Sequence, residues 1–100
     1  MSKYSIPVWQ MIVSIFERSS NKGEYMTINE ISQKLGNLYP DQNVKRETIR
    51  LQTIFHCVNH PGRKNDISKR WEKNPLFFND GKDGFRLLSE NERIKYRIRA

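Results

Sequence analysis

Hydrophobic positions recur with helical spacing in the first fifth of the chain, directly after Pro7. Proline suits the first turn of a helix, because the N–H that it lacks would have no partner within the helix there. The segment 19–23, Ser-Ser-Asn-Lys-Gly, interrupts the pattern. The sequence therefore predicts a first helix between these two points. Its apolar face consists of Val8, Trp9, Met11, Ile12, Ile15 and Phe16.

A second helix is predicted to begin at Thr27, after a short extended stretch. Thr27 and Glu30 have the spacing of a capping box, in which each side chain accepts a hydrogen bond from the other residue's backbone N–H. Met26 and Ile31 occupy the positions of a hydrophobic staple. Gly36 is predicted to end the helix, because glycine tolerates the left-handed conformation of a C-terminal cap. The buried face of this helix would consist of Ile28, Ile31 and Leu35.

A third helix is predicted after the connection at residues 38–42, with Asn43 as its N-cap and an end before Pro61. On a helical wheel of about 100° per residue, two groups of side chains separate. The group expected to face the core is Val44, Leu51, Ile54, Phe55 and Val58. The group expected to face outward is Lys45, Arg46, Ile49, Thr53, His56 and His60, with Arg50 at its edge.

The last part of the chain predicts a basic loop, a β-hairpin and a terminal helix. The loop covers residues 61–74 and is longer than most connections in a small domain. β-forming residues on both sides of a turn rich in Asn, Asp and Gly, at 79–84, predict a hairpin over Leu76–Leu88. Ser89 and Glu92 form a second capping box, so the rest of the chain either forms a basic helix or frays.

This order of elements predicts an α+β fold, a winged helix-turn-helix with a three-helix core and a C-terminal β-hairpin wing. The third helix would be the recognition helix that enters the major groove. A chain of 100 residues has room for a single core, so residues 1–100 are predicted to form one domain. The core would span about 5–90, and residues 91–100 would form a basic tail or helix.

The net charge of +7 is concentrated in the second half of the chain. Residues 1–43 carry equal numbers of basic and acidic groups, and 75–88 are also neutral. Segments 44–60, 61–74 and 89–100 contribute +2, +3 and +2. Charge gathered in part of a fold predicts a surface that faces a polyanion, because neutralising phosphates releases counterions. The alternative is a charged surface that serves solubility.

The amino-acid composition indicates the class of protein and the compartment in which it is expected. Hydrophobic residues make up 36% of the chain and charged residues 29%, which is the balance of a soluble globular domain. No apolar run approaches the roughly 18 residues of a membrane span, and the N-terminus lacks the features of a signal peptide. The one cysteine, Cys57, cannot form an internal disulfide. We therefore expect a cytoplasmic protein that does not contact a membrane.

The third helix supplies the first set of predicted DNA contacts. These are Lys45, Arg46, Ile49, Arg50, Thr53 and His56. Arg46 and Arg50 suit guanine or phosphate, and Lys45 suits phosphate. Ile49 and Thr53 could touch a thymine methyl group. For Ile49 the alternative is packing beneath the wing or the long loop.

The long loop and the wing supply the second set. The candidate phosphate contacts are Arg63, Lys64, Lys69, Arg70 and Lys73 in the loop, and Lys82 at the tip of the wing. Trp71 lies among the loop residues and has two interpretations. It stacks on a base, or it covers the edge of the core beside the wing, which is the commoner role of a tryptophan.

His56 and His60 lie one helical turn apart with Cys57 between them, as metal ligands on a helix would. Cys57 points about 100° away from either histidine, no Glu follows His56, and no fourth ligand is evident. We therefore expect no metal and no cofactor, and a structural or DNA-facing role for the histidines. No catalytic serine, paired-carboxylate or phosphate-loop pattern is present, so no enzymatic activity is expected.

Four motifs in the second half of the chain are specific enough to compare with known families. They are Thr-Ile-Arg-Leu-Gln-Thr-Ile at 48–54, Cys-Val-Asn-His-Pro at 57–61, Asn-Pro-Leu-Phe-Phe at 74–78 and Gly-Phe-Arg-Leu-Leu at 84–88. Over about residues 5–90 the chain resembles winged helices of the HARE-HTH type, which occur alone or fused to restriction endonucleases. The resemblance implies binding of double-stranded DNA, with recognition of a modified base in restriction or phage defence. It also implies a nuclease partner, since this chain has no nuclease segment.

Two classes of function are therefore compatible with the sequence. The first is binding of duplex DNA, either tolerant of sequence or directed at a short motif. The second is a protein-interaction module that uses the winged-helix scaffold without DNA, because fold alone does not decide function. RNA binding has less support, since the chain lacks the aromatic sheet platform that single-strand binders use.

Overall fold

A computed structural model describes residues 6–18 and 24–98 of the chain. Its elements are α1 (Val8–Arg18), β1 (Met26–Thr27), α2 (Ile28–Leu38), α3 (Arg46–Phe55), a 3₁₀ helix (Pro61–Asn65), α4 (Arg70–Lys73), β2 (Phe77–Asn79), β3 (Gly84–Leu87) and α5 (Glu90–Ile98). The fold is α+β, with α1, α2 and α3 packed on one another and a hairpin wing of β2 and β3. The predicted fold class is confirmed.

Helix α1 forms as its apolar periodicity predicts. Its first hydrogen bonds run from the N–H groups of Gln10 and Met11 to the carbonyl of Pro7, at 3.1 and 3.2 Å. Its core face contacts the wing through Phe16, and the centroids of the Phe16 and Phe77 rings are 5.6 Å apart. The segment 19–23, predicted to end this helix, lies outside the described residues. The buried side chains of α1 are Val8, Met11, Ile12, Ile15 and Phe16.

Helix α2 begins as predicted and ends later than predicted. The capping box is present, because the Glu30 N–H donates to Thr27 Oγ1 and the Thr27 N–H donates to Glu30 Oε1, both at 3.2 Å. Gly36 is not the C-cap, since the helix continues to Leu38 and the N–H of Tyr39 donates to the Leu35 carbonyl at 2.8 Å. Leu38 and Tyr39 both pack against the core. This burial offsets the helix penalty of a glycine, which is about 1 kcal/mol.

The three strands form one antiparallel sheet in the order β1-β3-β2. β1 joins the wing because Met26 pairs with Phe85 on β3, and Phe78 on β2 pairs with Arg86. The turn between β2 and β3 is fixed by its own side chains. Asn79 Nδ2 donates to the carbonyls of Lys82 and Gly84, at 3.0 and 2.9 Å. The predicted hairpin wing is confirmed.

Helix α3 is shorter than predicted at both ends. Asn43 is not its N-cap: it has a left-handed φ of 49°, and Lys45 takes the N-cap position instead. The helix ends at Phe55, because the chain then joins the sheet. The Val58 N–H donates to the Phe77 carbonyl at 3.0 Å, and Cys57 forms a parallel bridge with Phe77. Pairing with the wing therefore replaces the last turn of the expected helix.

The C-terminal helix α5 starts at the predicted capping box. The Ser89 N–H donates to Glu92 Oε1 at 2.9 Å, and the Glu92 N–H donates to Ser89 Oγ at 3.2 Å. Glu92 also receives two hydrogen bonds of 2.8 Å from the Arg86 guanidinium on β3, which lowers the pKa of Glu92 to about 2. This ion pair ties α5 to the wing. Residues 99–100, the end of the predicted terminal helix, lie outside the described residues.

None of the helices in the described parts of the chain is long and apolar enough to cross a membrane.

Candidate nucleic-acid interface

The face of α3 that was expected to point outward is in part the face that packs on the core. Ile49 and Thr53 are fully buried, and Thr53 Oγ1 donates to the Ile49 carbonyl at 2.7 Å. Neither side chain reaches the surface, so the predicted contact of both with a thymine methyl group is wrong. Two of the five positions that defined the expected stripe, Val44 and Val58, lie outside α3. Contacts with α1 and α2, which a helical wheel does not contain, select the buried face.

His56 is also an internal residue, only 3% exposed, so its predicted place on the DNA-facing surface is wrong. Its Nδ1 lies 2.9 Å from the carbonyl oxygen of Asn74 and therefore carries the proton, since a carbonyl only accepts. The ring of Trp9 lies 5.8 Å away. Burial lowers the pKa of His56, against the opposing effect of the Asn74 carbonyl. His56 thus joins the end of α3 to the segment before β2.

The start of α3 presents its charged side chains at the surface. Lys45 and Arg46 are exposed, and Arg46 Nε donates to Asn29 Oδ1 on α2 at 2.7 Å. Arg50 forms an ion pair with Glu47, and the hydrogen bond from Arg50 lowers the pKa of the Glu47 carboxyl. Arg46 is therefore hydrogen-bonded to a neutral partner, whereas Arg50 is paired with a carboxylate.

A groove of about 310 Å³ lies between the start of α2, α3 and the tip of the wing. We call it the basic groove, because Arg46 and Arg50 from α3 and Lys82 from the wing line it, together with His60. Asp83 is the acidic residue among its lining side chains. The remaining lining residues are Thr27, Ile28, Asn29, Ile54 and Phe85. The groove thus brings together three of the residues predicted to contact DNA, from positions as far apart as 46 and 82.

The first turn of α2 adds to the electrostatics of the basic groove. Thr27, Ile28 and Asn29 line it, and they form the N-cap and the first two residues of the helix. Backbone N–H groups in a first turn have no partner within the helix, and the positive end of the helix dipole lies there. The positive end of the α2 dipole therefore lies at the groove, where the capping carboxylate of Glu30 offsets part of it.

His60 is a component of the groove that sequence reasoning did not include among the DNA contacts. Its ring stacks on Phe85 with 5.7 Å between centroids, and its Nδ1 accepts the N–H of Gly62 at 2.9 Å. Burial, followed by the charges of Arg50 and Arg63, lowers the pKa of His60. Its Nε2 carries the proton, since Nδ1 is an acceptor. The sequence placed His60 in the outward group of the predicted third helix, but the groove forms only when the wing folds onto α3.

The loop cations are not equivalent to one another. Lys64, Lys69 and Lys73 are exposed, whereas the guanidinium groups of Arg63 and Arg70 are engaged within the protein. Arg63 lies over Trp71, 5.8 Å from the ring centroid, and donates to the His60 carbonyl at 2.8 Å. Arg70 lies 5.6 Å from the ring centroid of Phe55 and approaches Asp66, with N–O at 3.5 Å. The lysines are the better candidates for phosphate contact.

Cys57 and the two histidines do not form a metal site. Within residues 6–18 and 24–98, no group of three or more His, Cys, Asp and Glu side chains could hold a metal ion. Cys57 is buried, its thiol donates to Asn59 Oδ1 at 3.2 Å, and burial raises its pKa. His56 and His60, one turn apart on the predicted helix, contact different rings instead, Trp9 and Phe85.

Comparison with known proteins identifies the family. No curated protein and no solved structure matches the chain. A family model described as "Domain of unknown function (DUF7669)" matches residues 7–87, from the residue before α1 to the end of β3. The match includes every element that lines the basic groove. Because the family model matches most of the length of the chain, the chain belongs to the DUF7669 family.

Proposed function

We propose that this protein binds double-stranded DNA, with a backbone phosphate seated in the basic groove. The observation that carries the proposal is the convergence of Arg46, Arg50 and Lys82 on one groove at the start of α2. Guanidinium groups form charge-assisted hydrogen bonds with phosphate oxygens. N–H groups at a helix N-terminus bind the same oxygens. These are contacts to the sugar-phosphate backbone, which fix position without recognising base sequence.

The outward side of α3 supports binding that tolerates sequence. Ile49 and Thr53, the side chains suited to a thymine methyl group, are in the core. The net charge of +7 supplies a long-range attraction that is also independent of sequence. We therefore expect similar affinities for unrelated duplexes.

A duplex is favoured over single-stranded nucleic acid by the position of the aromatic residues. Proteins that bind single strands stack bases on exposed aromatic rings. Phe77 and Phe85 on the wing strands are buried in the core, and Arg86 lies over Phe78, 4.8 Å from its ring centroid. The strands described here therefore offer no open ring on which a base could stack.

The resemblance to HARE-HTH-type winged helices supports the same conclusion, since such domains occur fused to restriction endonucleases. In this proposal the protein positions a nuclease partner on DNA. Preference for a modified base remains a prediction of that resemblance alone.

The test is titration of a fluorescently labelled duplex of about 20 base pairs at several salt concentrations. The double variant Arg46→Ala with Arg50→Ala should bind about 100-fold more weakly, since each charged hydrogen bond contributes about 1.5 kcal/mol or more. The log-log salt slope should become shallower by about 2, because each phosphate contact contributes about 0.9.

The matched control is Arg18→Ala with Lys34→Ala, which removes the same charge from another surface hollow formed by α1 and α2. Its affinity should stay within about threefold of the parent protein, since only long-range attraction is lost. An equal loss in both double variants would show that charge acts without a defined site. No binding by the parent protein at tens of micromolar in low salt would overturn the proposal itself.

A further inference from the structure

The side chain of Ile67 is 96% exposed, at the turn between the 3₁₀ helix and α4. Among the described residues, the other large hydrophobic side chains that are exposed, Tyr25 and Ile94, are 41% and 52% exposed. A β-branched apolar side chain in water adds nothing to the stability of the core. Scattered exposed hydrophobic residues are ordinary. Ile67 differs from them in the hydrogen bonds that hold its turn and in the lysines on either side of it.

Ile67 is held in place by the residue before it. Asp66 is 5% exposed, and its carboxylate accepts the N–H of Ser68 at 3.1 Å and the N–H of Arg70 at 3.0 Å. Its own N–H donates to the Arg63 carbonyl at 2.9 Å, and its carbonyl accepts the Lys69 N–H at 3.1 Å. The residues after Ile67 are thus fixed to one buried carboxylate, backbone hydrogen bonds fix the residue before it, and Ile67 projects from an ordered turn.

Exposed lysines flank this projecting side chain in the sequence. Lys64 and Lys69 are exposed on either side of Ile67 in the sequence, and Lys73 is exposed one turn after Lys69. The segment 61–74 has a net charge of +3. An apolar side chain framed by exposed lysines is complementary to a nucleic acid, which presents apolar base faces behind a rim of phosphates. A protein partner without clustered acidic groups would be repelled by the same lysines.

The turn also adjoins the basic groove. Gly62, at the start of the segment, lies against His60 and Ile54, and both of these line the groove. Arg70, at the other end of the turn, lies over Phe55, the last residue of α3. The segment that carries Ile67 therefore contacts the end of α3, and the groove runs along the same helix, so we expect one duplex to reach both.

We propose that Ile67 is a wedge that inserts from the minor groove between two stacked base pairs and bends the DNA. The proposal rests on the DNA binding proposed above and specifies how the bound duplex is deformed. Isoleucine is among the side chains that architectural proteins insert in this way, and they kink the duplex toward the major groove. Pyrimidine–purine steps such as TA unstack most easily, so the wedge should act there.

The experiment measures bending and affinity together. A duplex of about 30 base pairs carries one central TA step and a donor and an acceptor dye at its ends. Binding of the parent protein should raise energy transfer, and 2-aminopurine next to the step should brighten as it unstacks. Ile67→Ala should abolish both signals. Its affinity should fall by less than about tenfold, because the burial of Ile67 and the unstacking of the step largely offset each other.

Two variants serve as controls. Ile94→Ala removes the same side chain from a half-exposed position on α5 and should keep both signals. Ile67→Leu keeps an apolar wedge and should retain most of the bend. Ile67→Ala should leave the melting temperature unchanged, since the side chain is exposed, so a lost bend cannot be ascribed to unfolding.

Each other outcome overturns the inference. If Ile67→Ala binds and bends DNA as the parent protein does, the wedge is wrong and the DNA-binding proposal stands. If the parent protein binds DNA without bending it, the same conclusion follows. If Ile67→Ala instead abolishes self-association in sedimentation and leaves bending intact, Ile67 contacts a second copy of the chain. If the parent protein binds no DNA, both proposals are wrong.

Discussion

The basic groove along α3 and the Ile67 turn beyond the end of that helix both carry positive charge, and they are built in opposite ways. The groove collects its cations from α3 and the wing, which come together only through the packed core. The turn takes its cations from one continuous segment and its shape from one carboxylate, that of Asp66. Its conformation is therefore local, whereas that of the groove is tertiary.

This difference predicts how the two regions respond to mutation. Arg46, Arg50 and Lys82 lie at the surface of elements that other residues hold, so replacing them should change DNA binding and leave stability nearly unchanged. In the turn, the exposed residue Ile67 and the supporting residue Asp66 are neighbours in sequence with opposite burial. A change at Asp66 should therefore alter stability and function together. Three further predictions sharpen this contrast.

Asp66→Ala should have the largest effect on stability. The substitution leaves the N–H groups of Ser68 and Arg70 without their acceptor, and a buried unsatisfied group costs about 1–3 kcal/mol. We expect the free energy of unfolding, measured in urea, to fall by about 2 kcal/mol. DNA bending should be lost as in Ile67→Ala. An unfolding free energy within about 0.5 kcal/mol of the parent value would contradict the role of Asp66, since that is the range of ordinary surface substitutions.

Acidification should lower stability by an intermediate amount, through His56 at the link between the end of α3 and the segment before β2. Burial lowers the pKa of His56 below its usual 6.5, so the unfolded chain binds the proton more readily than the folded one. The stability that neutral His56 contributes is complete above about pH 6.5 and is lost as the pH falls below it. Protonation would also place an Nε2–H in the interior, where Nε2 has no hydrogen-bond partner among the described residues.

The measurement for this prediction is the melting temperature between pH 7.5 and 5.5. It should decrease as the pH falls, and His56→Gln should flatten the decrease. Some slope should remain in the variant, because burial lowers the pKa of His60 as well. A parent protein whose melting temperature does not change over this interval would show that His56 is not buried in its neutral form.

Asn29→Ala should have the smallest effect, and it acts on the groove alone. Asn29 accepts the hydrogen bond that orients Arg46, so its loss frees the arginine side chain without removing its charge. Immobilising a long side chain on binding costs about 0.5–1.5 kcal/mol, so DNA affinity should fall about threefold. The salt slope should not change, which distinguishes this variant from Arg46→Ala. A changed slope would mean that Asn29 acts through more than the position of Arg46.

The elements that were predicted correctly are those whose signals are local. Thr27 with Glu30 and Ser89 with Glu92 form the predicted capping boxes, because the partners lie within one turn of each other. The wing follows from a turn that is closed by its own residue, Asn79. Gly36 shows the limit of such local signals. It was predicted to end α2, but Leu38 and Tyr39 pack against the core and the helix continues to Leu38.

The candidate site was predictable in part. The sequence named Arg46, Arg50 and Lys82 as cations that contact DNA, and the structure places all three in one groove. Asn29 could not be found in this way, because it reaches the groove on α2, which is far from the wing in sequence. His60 follows α3 by five residues, but only the fold brings it against Phe85 of the wing. Ile67 was not singled out, since a single isoleucine in a basic loop gives no sign of its exposure.

The sequence did not predict the 3₁₀ helix and α4, which lie in the segment 61–74 that was expected to be a loop. By itself it determined the three core helices, the wing, the two capping boxes and the concentration of positive charge after residue 43. These properties depend on backbone preferences and short-range hydrogen bonds. Only the tertiary structure decided which face of α3 is buried. Ile49 and Thr53 lie inside because α1 and α2 pack against that side. Burial is set by the surfaces that surround a helix, and the periodicity of one helix cannot specify them.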